Sequence, residues 1–124
     1  MNQLKFHLLV IKVDLPFLNQ LEASLADYVD EFSSASSVQD GISILLRDPA
    51  NLVLVGGQDC LQTSTELLSV IPTQSIICVF PRDVPGNAYD EGNRIGVKAV
   101  VSEPLNIHYL QTLLKAISVP QHAD

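Results

Sequence analysis

The sequence predicts an α/β domain in which a parallel β-sheet is covered by helices on both faces. Short apolar runs alternate five times with stretches whose apolar residues recur at spacings of three and four, the pattern of strand followed by helix. The connections are short, as consecutive βα units require. At 124 residues and 47% hydrophobic composition the chain suits one domain with one core, burying about two-thirds of the surface its unfolded form would expose.

The first unit is "FHLLVI" (6–11), followed by Leu18, Leu21, Leu25 and Tyr28 on one face of a helix. Asp14 is placed to cap that helix, and Pro16 falls in its first turn, where a missing N–H costs nothing. A weaker strand, "DEFSSAS", precedes "SVQDGISILLRDP". In the latter, Ser37 and Asp40 have the spacing of a capping box, Ile42, Leu45 and Leu46 form the buried stripe, and Pro49 ends the helix. The third unit is "NLVLV" with a helix carrying Leu67, Leu68 and Ile71. The fourth is "SIICVF" with a polar segment, 83–95, whose Gly86 and Gly92 predict a short or loose helix. The fifth is "KAVVS" with "NIHYLQTLLKAI", where Leu110, Leu113, Leu114 and Ile117 face inward. No repeat, low-complexity tract or linker interrupts the chain before a polar tail, so residues 1–118 form the domain and 119–124 the tail.

Charge and cysteine content exclude several functions. Fourteen Asp and Glu against seven Lys and Arg give a net charge of -7, and the cations (Lys5, Lys12, Arg47, Arg82, Arg94, Lys98 and Lys115) are scattered. Such a surface repels a phosphate backbone, so direct nucleic-acid binding is not expected. Cys60 and Cys78 fit no metal spacing, and two cysteines in a chain of this size suit a reducing, cytoplasmic setting. The longest apolar runs are far below the roughly 20 residues of a membrane span, and "MNQLKF" has no signal-peptide layout. A soluble chain without a membrane partner is the expectation.

"NLVLVGG" (51–57) raises the functional question, because the carboxyl ends of buried parallel strands are where ligands sit in such sheets, and this strand ends in two glycines. The stretches "LLVIKVDLP", "PANLVLVG", "SIICVFP" and "GVKAVVSEP" resemble the receiver domain of bacterial response regulators. Receivers read roughly as an aliphatic run with two acids, one residue and Pro, then "PDLVLLD", "PIIVLTA" and "GADDYLVKP". The resemblance spans nearly the whole chain. It implies a flavodoxin-like (βα)5 three-layer sandwich with a parallel five-stranded sheet in the order 2-1-3-4-5.

The same alignment removes the family's chemistry. The phosphoaccepting Asp falls on Gly56, the strand-four hydroxyl on Phe80, the strand-five lysine on Glu103 and the coupling aromatic on Val100. The first-loop acid pair falls on Val13 and Asp14 counting back from Pro16, or on Lys12 and Val13 counting forward, so at most one acid survives. Receiver phosphorylation is a charge problem, with carboxylates holding a divalent cation while lysine and hydroxyl neutralise the phosphoryl oxygens. Val13, Asp14, Gly56, Phe80 and Glu103 thus read as a degenerate phosphorylation pocket with no metal, no cofactor and no catalytic residue.

Other residues in this region read as structural. Asp59 is a solvated loop carboxylate or helix cap, with a displaced phosphoacceptor as the alternative. The glycine pair is a plain turn, with an anion-binding nest as the alternative. Lys12 points to solvent at a strand end, with an ion pair to Glu103 as the alternative. Cys78 is a core residue, and a redox role with Cys60 lacks the neighbouring cations that stabilise a thiolate. His7, His108 and His122 are structural or solvated.

The reading is therefore a non-enzymatic, phosphorylation-independent interaction or dimerisation domain of a bacterial signal-transduction or transcription regulator, partnered by another protein or by itself. The resemblance places the contact face on the fourth helix, fifth strand and fifth helix, at Tyr89, Val100, Leu105 and Tyr109. The alternatives are the pseudo-receiver of an antitermination regulator that binds RNA through a separate tail, and a small-molecule or nucleotide sensor using the sheet edge.

Overall fold

Strand and helix alternate strictly along the chain in a computed structural model that describes residues 6–13, 15–72, 75–103 and 106–118. The elements are β1 (His7–Ile11), α1 (Leu15–Leu25), β2 (Glu31–Ala35), α2 (Val38–Arg47), β3 (Leu52–Gly56), α3 (Cys60–Glu66), β4 (Ile76–Phe80), α4 (Ala88–Ile95), β5 (Ala99–Ser102) and α5 (Ile107–Ser118). All strand pairings are parallel, and the order is β2-β1-β3-β4-β5. This is the flavodoxin-like sandwich the sequence predicts. Asp14, Leu105, the side chain of Ile117 and the tail, 119–124, lie outside the described residues.

The sheet divides the interior into two apolar layers because side chains alternate along each strand. Leu8, Val10, Leu52, Leu54, Ile77 and Val79 face α1 and α5, where Leu21, Leu25, Leu110 and Leu114 complete one cluster. Leu9, Ile11, Val53, Val55, Ile76, Cys78 and Phe80 face α2, α3 and α4, with Leu45, Cys60, Leu67, Ile71 and Ala88. β1, β3 and β4 are buried on both faces, which is why their sequences are continuous apolar runs. The edge strand β2 is half-buried and polar, hence its weak sequence signal.

Ser37 caps α2 as its spacing suggests, its side chain accepting from the Asp40 N–H at 3.1 Å. The buried stripe of α2 differs from expectation. Gly41 and Leu45 are buried, Ile42 and Ile44 pack at the margin, and Leu46 is 73% exposed. The helix lies so close to the sheet at Gly41 that a Cβ there would stand 2.5 Å from Ile11 Cδ1, and this approach sets the face that turns inward. Leu68 also departs from its predicted stripe. The third helix ends at Glu66, so Leu67 and Ile71 are buried from the following turn while Leu68 is exposed.

The fourth helix is short, as its glycines imply, but it is not loose. A Cβ at Gly92 would meet Val100 Cγ2 at 2.5 Å, so the glycine lets α4 seat directly on β5. Gly96, at φ 99°, closes the helix in the left-handed conformation that favours glycine, its N–H bonded to the Gly92 carbonyl.

Candidate functional site

The carboxyl edge of the sheet is formed where β1, β3, β4 and β5 end. Register places Ile11 beside Val55, Gly56 beside Val79 and Phe80 beside Ser102. The β1–α1 loop therefore leaves the sheet next to the end of β3, and Lys12, Val13 and Gly56 come together. Phe80 closes the end of β4 as a core residue, 2% exposed. Glu103 follows β5 half-buried, its N–H bonded to the Phe80 carbonyl at 2.8 Å.

Gly56 is fully enclosed at this edge. A Cβ built on it would lie 2.7 Å from the Lys12 carbonyl oxygen and 3.0 Å from Val13 Cγ2. The first contact is backbone and cannot swing aside. The position is thus closed by the neighbouring loop as well as lacking a side chain, and any other residue would have to push β1–α1 away from the sheet.

Two left-handed residues form the rim. Gly57 has φ 108° and Lys12 has φ 62°. A non-glycine in that region is strained by roughly 1–2 kcal/mol. Lys12 is held by its N–H bond to the Ala35 carbonyl at 2.9 Å and by its ammonium, which donates to both Asp59 oxygens at 2.9 Å. Lys12 thus pairs with Asp59 and does not point freely to solvent. Asp59 occupies the N-cap position of α3 without a side-chain capping bond, its carboxylate being turned to Lys12 instead. No sequence signal exposes this pair, because the partners are 47 residues apart.

The remaining candidates are dispersed. Val100 is half-buried against α4, while Tyr89 on α4 and Tyr109 on α5 are 55% and 41% exposed. Cys60, the first residue of α3, and Cys78 of β4 are both buried, the Cys78 thiol 3.7 Å from the Cys60 carbonyl oxygen. The Cys78 thiol lies 3.1 Å from Ser64 Oγ. A hydrogen bond with Cys78, reinforced by burial, raises the Cys60 pKa far above the usual thiol range, so it stays protonated. His7 is buried at the opposite, amino edge of the sheet.

No family model matches the sequence, and no curated protein is similar to it at a meaningful level. Solved structures do match. A response regulator from Thermotoga maritima superposes with a TM-score of 0.79 at 17% identity, covering 93% of this chain and 98% of its own. An orphan response regulator of H. pylori gives 0.76 at 14%, covering 92% of this chain and 97% of its own. A CheY-like protein (TadZ) from Pseudomonas aeruginosa gives 0.69 at 18% and covers 100% of this chain and 99% of its own.

The fold is that of a receiver domain.

Within the receiver fold, the described residues of the carboxyl edge offer a backbone cradle sealed by β1–α1, the Lys12–Asp59 ion pair and the buried Phe80 ring. Among the described residues, no group of three or more His, Cys, Asp or Glu side chains converges there. This arrangement supplies packing and rigidity. The Lys12–Asp59 pair is partly solvated, at 30% and 55% exposure, so Asp59→Ala should cost no more than about 1 kcal/mol. Lys12→Gly loses the same pair but releases the left-handed strain, and should cost less than Asp59→Ala in urea unfolding. A larger loss for Lys12→Gly would show that Lys12 stabilises the loop by more than its pairing.

Proposed function

We propose that this domain is a phosphorylation-independent interaction module of receiver fold in a bacterial signal-transduction or transcription regulator, partnered by another protein or by a second copy of itself. The observation that carries it is the contact of the Gly56 position with the Lys12 carbonyl, which leaves no room for an acceptor carboxylate. Two features support a fixed association face. Gly92 packs α4 against Val100 without a gap, and Tyr89 and Tyr109 present large, partly apolar surfaces on α4 and α5. Aromatic side chains of this kind anchor interfaces at low entropic cost. The acidic surface disfavours nucleic acid as the direct partner. Among the described residues no helix is long and apolar enough to cross a membrane.

Acetyl phosphate or beryllofluoride with Mg²⁺ should leave intact mass and amide resonances unchanged. Covalent phosphorylation, above all on Asp59 and lost in Asp59→Ala, would overturn the reading. A second experiment addresses the face itself. Sedimentation over a concentration series should show reversible dimerisation, with Tyr109→Glu shifted toward monomer, because a stable interface buries at least about 1,000 Å² and tolerates a central charge poorly. A strictly monomeric wild type would remove self-association through this face and leave a heterologous partner.

A further inference from the structure

A second cluster lies at the amino edge of the sheet, on the opposite side of the molecule from the closed receiver edge. His7 opens β1 and stands in register with Glu31, which opens β2. Asp48, the C-cap of α2, places its Oδ2 4.0 Å from His7 Nδ1. A nitrogen of His7, an oxygen of Glu31 and an oxygen of Asp48 all lie within 4.8 Å of one another. The Pro49 carbonyl oxygen is a fourth donor, 3.1 Å from Nδ1. His7 is 3% exposed, whereas Glu31 is half-buried and Asp48 is 47% exposed.

We propose that His7, Glu31 and Asp48, with the Pro49 carbonyl, form a binding site for a borderline divalent transition-metal ion such as Zn²⁺.

Geometry favours this occupant. Ligands bonded to one zinc at about 2.0–2.2 Å stand about 3–4 Å apart, and the Nδ1–Pro49 and Nδ1–Asp48 separations already fall in that range. Glu31 stands within 4.8 Å of both His7 and Asp48, and its half-buried side chain has freedom to adjust. The far side of the imidazole is suited to the same task. Nε2 lies 2.8 Å from Ser33 Oγ, and a hydroxyl can accept as readily as donate. With the ring proton on Nε2, the Nδ1 lone pair is free to bind the ion and Nε2–H donates to Ser33, the second bond that orients most metal-bound imidazoles. Electrostatics agree. Two carboxylates and the negative end of α2 converge on the ring, and a dication would balance the charge of both. Positions 7, 31, 33 and 48 show no ligand spacing in the sequence, because parallel pairing and the end of α2 create the site.

Isothermal titration with ZnCl₂ should show one ion per chain, and Glu31→Gln and Asp48→Asn should each weaken binding at least tenfold. In the wild type, zinc should shift the ¹⁵N resonances of the His7 ring more than those of His108 and His122. Absence of binding at millimolar zinc, binding that both variants retain, or shifts confined to His108 and His122 would each overturn the proposal. The ring measurement uses unaltered protein, so it decides the matter even where a variant is poorly folded.

Discussion

Gly56→Asp is expected to lose at least about 3 kcal/mol of stability and to remain unreactive toward acetyl phosphate. The Cβ alone overlaps the Lys12 carbonyl, and overpacking of this kind costs about 1–3 kcal/mol. The carboxylate adds desolvation at a fully buried position. Gly56→Ala isolates the steric part and should fall between wild type and the aspartate. Denaturant midpoints of the three proteins, with intact mass after acetyl phosphate treatment, provide the check. A Gly56→Asp protein as stable as wild type would mean that the β1–α1 loop yields easily, and rapid labelling of it would restore the site as a phosphorylation pocket.

Phe80→Ala should be the most destabilising truncation at the carboxyl edge, at about 3–5 kcal/mol. The ring is 2% exposed and packs in the layer between the sheet and α2, α3 and α4. Register sets it beside Ser102 at the end of β4, so the cavity left behind would open next to the connections leading to α4 and α5. Urea unfolding measures the loss, and a cost under about 1 kcal/mol would show that the ring is not a core element. Phe80→Leu, which keeps much of the volume, should retain most of the stability.

The architecture was legible in the sequence because parallel strands buried on both faces are apolar along nearly their whole length, and "HLLVI", "LVLVG" and "IICVF" are so apart from the hydrogen-bonded His7. Helix faces were less legible. Leu46 looks like a stripe residue, yet the orientation of α2 depends on how closely Gly41 approaches Ile11, a distance that periodicity does not encode. At the carboxyl edge the sequence located Gly56, Phe80 and Glu103 at or just beyond the ends of their strands. It did not reveal that Lys12 folds back on Asp59 or that Val13 abuts Gly56. Those facts depend on a positive φ at a lysine, a conformation no pattern of residue types announces. Gly92 was read as a weak point in α4, while packing against Val100 gives it a positive role.

The strand order β2-β1-β3-β4-β5 also gives sheet growth a direction along the chain. By Gly56 the first three strands are available, and β1 has both of its neighbours. Each later strand then extends the same outer edge, β4 on β3 and β5 on β4. A chain emerging from its amino end can therefore complete the β2-β1-β3 half before the second half exists, and no later strand must be threaded between earlier ones. Stepwise shortening from the carboxyl end removes one edge at a time, whereas loss of β3 would divide the sheet in two.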